Sequence, residues 1–303
     1  MRIAVTGGPG QLVLSMLERG PGCGHEVIAV GPPALDLAAP DDVAILAALA
    51  EARPEAIVNA AAHTAVDKAE SEHALAFAIN GAGAGAVARA ALRLGVPLVQ
   101  ISTDYVFAGD QPAPYTEDDQ TGPTGVYGAS KLAGEEAVLA SGADAAILRT
   151  AWVYSPFGAN FVKTMLRLAA GRDELGVVAD QCGNPTSALD LAEAAMRVAA
   201  NLGARPDAGL RGVFHATGSG EASWADFAEE IFAAARAHGG PSARVRRITT
   251  AEYPTPARRP ANSRLDCGKL AARHGVRFPD WRASTAAVVA RLVREAQEGA
   301  GAA

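Results

Sequence analysis

Lysine is scarce in this chain of 303 residues: Lys68, Lys131, Lys163 and Lys269 are the only four. The net charge is −6, and most positive charge is arginine. Arg258, Arg259 and Arg264 lie close together, but no basic stripe forms. That distribution argues against a nucleic-acid or acidic-membrane partner. Cysteine is nearly absent too. Cys23, Cys182 and Cys267 are scattered, without the paired spacing of a zinc site or redox couple, so no metal is expected. An odd, dispersed set fits reduced thiols and a cytoplasmic setting. The first residues read as a strand rather than a signal peptide, and no apolar run looks long enough to span a bilayer. Aromatic residues are only 5%, while hydrophobic residues together reach 49%. Such a chain builds its core from small side chains, with helices packed tightly on a sheet.

What is present alternates. Ile3–Thr6, Glu26–Val30, Ala56–Asn59, Leu98–Ile101 and Ala145–Arg149 read as short strands. Helical stretches at Gln11–Arg19, Asp41–Ala52, Ala74–Leu94 and Thr124–Ala140 separate them. Strands alternating with helices imply right-handed βαβ units, and so an α/β, Rossmann-like doubly wound parallel sheet. The second half is less regular. Helices are expected at Asn160–Ala170, Ala188–Ala200, Trp224–His238 and Ala283–Gln297, and strands at Gly176–Val178 and Val213–Ala216. Pro254 to Pro260 suits neither a helix nor a central strand. Residues 1–150 are expected to form the dinucleotide-binding domain, with 180–217 returning to it. Residues 151–179 and 218–303 are expected to build a smaller C-terminal substrate lobe over the edge where ligands bind.

The first strand runs into Gly7-Gly8-Pro9-Gly10-Gln11-Leu12-Val13. Gly7 can make the turn, Gly10 can admit a pyrophosphate, and the amides of Gln11 and Leu12 can donate to it at a helix start. Val13 stands where a third glycine normally permits close helix–strand packing, which implies a slightly displaced helix. Pro9 removes one amide. The second strand ends without the acidic residue that would hold a ribose. Asp36 is the next candidate, placed to meet an adenine with Leu37 beside it, so NADPH and NADH both stay open.

Tyr127-Gly128-Ala129-Ser130-Lys131 puts a phenol and an ammonium on one face of a helix. Five tyrosines and four lysines give only ~0.07 chance pairings at this spacing. The ammonium is expected to lower the phenol's pKa, so that it can give a proton to a carbonyl oxygen that receives hydride. Ser102-Thr103-Asp104-Tyr105 ends the fourth strand at the edge the Tyr127 helix should reach. Thr103 can complete a Thr–Tyr–Lys set or simply cap the strand. Asp104 can bind a substrate hydroxyl or assist protonation. Asn80 can order the site through a backbone or water contact, or be a structural amide.

Seven blocks in order carry a resemblance. They are Asn59 to Glu70, Ser102 to Phe107, Tyr127 to Glu135, Arg149 to Tyr154, Asn160 to Met165, Asp180 to Thr186 and Arg259 to Asp266. Together they are similar to dTDP-4-dehydrorhamnose reductases of the extended short-chain dehydrogenase superfamily. The resemblance implies reduction by NADPH or NADH of the C4 ketone of a dTDP-linked 4-keto-6-deoxyhexose. Some relatives use a carboxylate-bound divalent ion, but no local ligand spacing here supports one, so a divalent metal is not expected; a monomer or homodimer is. Tyr127 would be the proton donor, Lys131 its partner and ribose ligand, and Thr103 the third member. Ala60, Ala61, Ala62 and Thr64 would line the cofactor. Asp104, Val66 and Trp152 would face the sugar, and Arg259 and Asn262 would lie near the nucleotide-sugar phosphates or close the lobe.

A dehydratase of the same superfamily resembles Thr-Asp-Glu after the fourth strand, since it must abstract a proton. Tyr105 in that third position favours simple reduction. A reductase of another deoxysugar stays open. So does a non-catalytic regulatory subunit of the same fold, against which the Thr103–Tyr127–Lys131 set argues.

Overall fold

The computed structural model describes residues 1–301. Its strands, in chain order, are β1 (Arg2–Thr6), β2 (Glu26–Val30), β3 (Ala56–Asn59), β4 (Leu98–Thr103) and β5 (Ala145–Thr150), then β6 (Val153–Tyr154), β7 (Glu174–Val178), β8 (Cys182–Gly183), β9 (Thr186–Ser187), β10 (Gly212–His215), β11 (Ala222–Ser223) and β12 (Arg244–Ile248). Six of them form one parallel sheet in the order β10-β5-β4-β3-β1-β2. Every residue of β3 and β5 is buried, as expected of parallel strands covered on both faces. The order reverses between β1 and β3, and the loops leaving the C-terminal ends there open a crevice, the usual ligand position in such sheets.

Helices α1 (Gln11–Arg19), α2 (Asp42–Glu51), α3 (Val66–Ala69), α4 (His73–Phe77), α5 (Ala84–Leu94) and α6 (Val126–Ala140) connect the first five strands. The Asp41 side chain starts α2 by accepting from the Val43 and Ala44 amides, satisfying donors that a helix start leaves open. The expected single helix from Ala74 to Leu94 is instead α4, a π-helical turn at Ala78–Gly83, and α5. Such turns cluster at functional sites, and this one carries Asn80. The run His73–Leu94 does have the length and apolarity of a membrane span, contrary to the expectation that none does, but 61% of that window is buried in the protein. Helix α6 begins at Val126 rather than Thr124, because Gly125 is extended.

The second half adds α7 (Phe161–Ala169), α8 (Ala188–Ala204), α9 (Trp224–Ala237), α10 (Gly268–His274) and α11 (Trp281–Gly301). Helix α8 lies beside α1 on one face of the central sheet, and β10 closes the sheet edge. One apolar cluster joins β1, α1, α8 and β10, and a second joins α2, α5 and the opposite face. A third, with Phe227, Phe232 and Trp281 at its centre, joins α7, α9 and α11. Strand β12, Arg244–Ile248, pairs in parallel with β7. Its arginine-rich sequence hid it, since Arg244, Arg246 and Arg247 hold the acidic residues Glu174, Asp226 and Glu229 at the surface. Residues 254–260 are irregular, as the prolines require.

Candidate active site

The loops at the sheet's reversal point enclose a cavity of about 730 Å³. Gly7, Gly10, Gln11 and Leu12 line one end, Ala60, Ala61, Ala62, Thr64 and Val66 the floor, and Thr103, Asp104, Tyr127, Lys131 and Trp152 the far end. Fourteen residues singled out from the sequence thus share one space. Asp36 and Leu37 do not. Asp36 is exposed and accepts from the Ala38 amide at 2.8 Å, and Leu37 is buried in the core. Asn262 is also elsewhere. Its Nδ2 donates to the Gln111 and Ala113 carbonyls, and its Oδ1 accepts from the Arg264 amide and guanidinium. That amide is spent on loop structure. Arg259 stands at the edge of a neighbouring cleft of about 570 Å³ that shares Tyr105 with the first.

The Gly7 end is built for an anion. Gly7 holds φ +124°, a backbone region closed to most side chains. Helix α1 has no side-chain cap and no acidic residue in its first turn, so the amides of Gln11, Leu12 and Val13 are unpartnered within the helix. Space lies open at Gly8. A dinucleotide pyrophosphate fits these donors, while Pro9 contributes none. Val13 turns into the core, and its Cγ2 lies 3.5 Å from where a Cβ on Gly7 would stand, so the missing side chain at Gly7 admits the valine.

Two glycines set the helix that carries Tyr127 and Lys131 in place. A Cβ on Gly128 would come within 2.1 Å of the Tyr105 carbonyl, and one on Gly134 within 2.0 Å of the Asn80 carbonyl. Helix α6 therefore lies directly against the π-turn and the loop after β4. Asn80 fastens the contact: its Oδ1 accepts from the His63 amide at 2.8 Å, and its Nδ2 donates to the His63 carbonyl and to Ser130 Oγ. The loop after β3 and helix α6 are tied through that one amide.

Lys131 is buried and its Nζ donates to the Ile101 carbonyl at 2.6 Å. Burial lowers its pKa to about 8, with Glu135 opposing the fall. Glu135 itself is engaged by Ser102 Oγ at 2.5 Å and by the Arg149 guanidinium. The Tyr127 phenol is pushed up rather than down, correcting the sequence expectation. Burial is the largest cause, the Thr103 hydroxyl beside it offsets part of the rise, and Asp104 adds to it. In this geometry the Lys131 ammonium is held by a carbonyl and does not stabilise the phenolate. Thr103 lines the cavity and caps the strand end: it accepts from the Tyr105 amide and donates to Asp104 Oδ1 at 2.9 Å. Asp104 is buried, its Oδ2 has no partner, and burial raises its carboxyl to about 6 despite hydrogen bonds from Ser263 and Thr103.

Trp152 forms the opposite wall at φ +48°, an uncommon conformation for a bulky residue. Its indole stacks on Trp224 with ring centres 3.6 Å apart and occupies the space left by Gly183, where a Cβ would come within 2.5 Å of the ring. In the sequence, Gly183 reads only as part of the Asp180 to Thr186 block and Trp224 only as the start of a helix; neither reads as a site residue. Tyr105 meets the Tyr127 ring edge-on and accepts from Arg259, which also pairs with Asp67 at 2.7 Å.

The family described as the RmlD substrate binding domain matches residues 1–294. A dTDP-4-dehydrorhamnose reductase of Sinorhizobium fredii is 51% identical over 299 residues, covering 98% of this chain and all of that protein. The crystal structure of a dTDP-4-dehydrorhamnose reductase from Clostridium acetobutylicum superposes with a TM-score of 0.87 at 40% identity, covering 96% of this chain and 99% of that one. The enzyme of that name from Bacillus anthracis, solved in complex with NADP, also gives 0.87, at 36% identity, covering 95% and 98%.

Proposed function

The chain belongs to the RmlD substrate-binding-domain family, and on that premise we propose that it reduces the C4 ketone of dTDP-4-dehydro-L-rhamnose with NADPH or NADH. The observation that carries the reading is the convergence of Thr103, Asp104, Tyr127 and Lys131 on the same cavity as the open amides of α1. A hydroxyl acid and a pyrophosphate cradle in one enclosure suit a carbonyl reductase.

In this reading the amides of Gln11, Leu12 and Val13 hold the dinucleotide's diphosphate, and Ala60 to Ala62 give its nicotinamide half a flat, small-residue floor. The nicotinamide, when bound, supplies hydride to the ketone carbon. Thr103 and Tyr127 present hydroxyls to the ketone oxygen, and Tyr127 gives up its proton to it. Lys131 is charged at neutral pH, being protonated below about 8. With a dinucleotide bound it would hold a ribose hydroxyl, while Tyr127 gives its proton from a phenol that burial keeps neutral. Asp104, Val66 and Trp152 bound the sugar. The second cleft, with Phe161, Trp224, Tyr253 and Arg259 on its walls, offers aromatic faces and a cation to the nucleotide end.

The test is NADPH oxidation followed at 340 nm with dTDP-4-dehydro-L-rhamnose, and the product identified as dTDP-L-rhamnose. Turnover supports the reading, and a folded protein without turnover on either nicotinamide overturns it.

A further inference from the structure

The side chain of Gln11 points away from the diphosphate cradle that its backbone helps to form. Its Oε1 accepts from Ser155 Oγ at 2.9 Å and from Asn160 Nδ2 at 3.1 Å, and its Nε2 reaches the Val153 carbonyl at 3.4 Å. All three partners lie in the segment 153–160, which follows Trp152 and leads into α7. That segment is organised around the same groups. Asn160 also donates to the Ser155 carbonyl and caps α7 by accepting from the Lys163 amide, while Ser155 Oγ accepts from the Phe157 amide. Val153, Gly158 and Asn160 line the same cavity as the cradle. A single half-buried amide therefore spans from the first turn of α1 to the wall carrying Trp152. Ordering either end restricts the other.

We propose that Gln11 is a positioning residue that couples the two ligand sites, so that cofactor and nucleotide sugar each tighten binding of the other. This rests on the function proposed above. Bound diphosphate fixes the Gln11 backbone, which fixes its amide, which orders the segment the sugar meets. By linkage the sugar must return the same factor to the cofactor.

The experiment titrates NADPH into the full-length protein by fluorescence, with and without saturating dTDP-L-rhamnose, a product that allows no turnover. The wild type should bind NADPH at least about fivefold more tightly with the product present. Gln11→Ala keeps the backbone amide but should bring that ratio below about twofold. Ser155→Ala removes a donor on the opposite side and should lower the ratio too, which keeps the test decisive if Gln11→Ala does not fold. Glu18→Gln breaks an exposed tie between α1 and Arg291 on α11 and should leave the ratio unchanged. A ratio near one in the wild type, a wild-type ratio in the folded Gln11 or Ser155 variant, or an equal loss in Glu18→Gln overturns the proposal. Wild-type protein that binds neither NADPH nor NADH overturns the reductase reading itself; binding without coupling overturns only this inference.

Discussion

Lys131 Nζ donates a 2.6 Å hydrogen bond to the carbonyl of Ile101, and so joins the helix carrying Tyr127 to the strand that ends in Thr103. Only Ser102 lies between Ile101 and Thr103 in the chain. Lys131 is thus held by the backbone of the strand that carries Thr103. Its neighbour one turn on, Glu135, is neutralised by Arg149 rather than left free to capture the ammonium.

Asp104 should make stability depend on pH. Its folded carboxyl titrates at about 6, above the ~3.9 of an unfolded aspartate. The folded state holds the proton longer, so stability falls as pH rises from about 4 to about 6 and is level above. Asp104→Asn removes that cost. Chemical denaturation at pH 8 should show the variant more stable by roughly 2–3 kcal/mol, with the difference closing below about pH 4. A difference constant across that range contradicts the assignment.

Gly183→Ala should act on the sugar without touching it. The added Cβ meets the Trp152 indole at 2.5 Å and must displace it or its stacking on Trp224. Overpacking of this kind costs about 1–3 kcal/mol. Steady-state kinetics should show KM for the dTDP-sugar raised by roughly tenfold, with NADPH affinity changed by less than about twofold. Equal effects on both ligands would place Trp152 outside the sugar wall.

Val13→Gly would restore the glycine that the dinucleotide fingerprint calls for, yet it should weaken the protein. Val13 is buried in the cluster between β1, α1 and α8, so its loss leaves a cavity and adds the entropy cost of glycine in a helix. The sum is about 2–4 kcal/mol. Thermal unfolding of the two proteins checks it, and an unchanged or raised melting temperature would refute it.

Asn262→Ala separates structure from binding. Four hydrogen bonds leave no part of that amide for a phosphate. Removing them should cost roughly 1–3 kcal/mol of stability, read from a denaturation midpoint, with KM for the dTDP-sugar within about twofold of wild type. A KM raised tenfold at unchanged stability would return Asn262 to the substrate.

The sheet was legible because its strands are apolar and its helices periodic; Ala56–Asn59 and Glu26–Val30 fall where the alternation puts them. The site's centre was legible because its residues sit in local motifs at strand ends and on one helix face. What lay hidden was set by distant packing. Nothing local to Gln11 announces Ser155 and Asn160, more than 140 positions away. The π-turn at Asn80 leaves the apolar periodicity nearly intact, and β12 looks polar because its charges are spent in surface pairs. Asp36 sits outside the main cavity and closes its own turn on Ala38, a local contact that an aspartate after a second strand does not announce.

The most direct test is the rate of NADPH oxidation by Tyr127→Phe with dTDP-4-dehydro-L-rhamnose, beside the wild type. Phenylalanine keeps the ring against Tyr105 and removes only the hydroxyl. The expected result is a kcat lower by roughly 10²–10⁴, with NADPH affinity within about threefold of wild type. A kcat within about fivefold of wild type would contradict the assignment of Tyr127 as the proton donor.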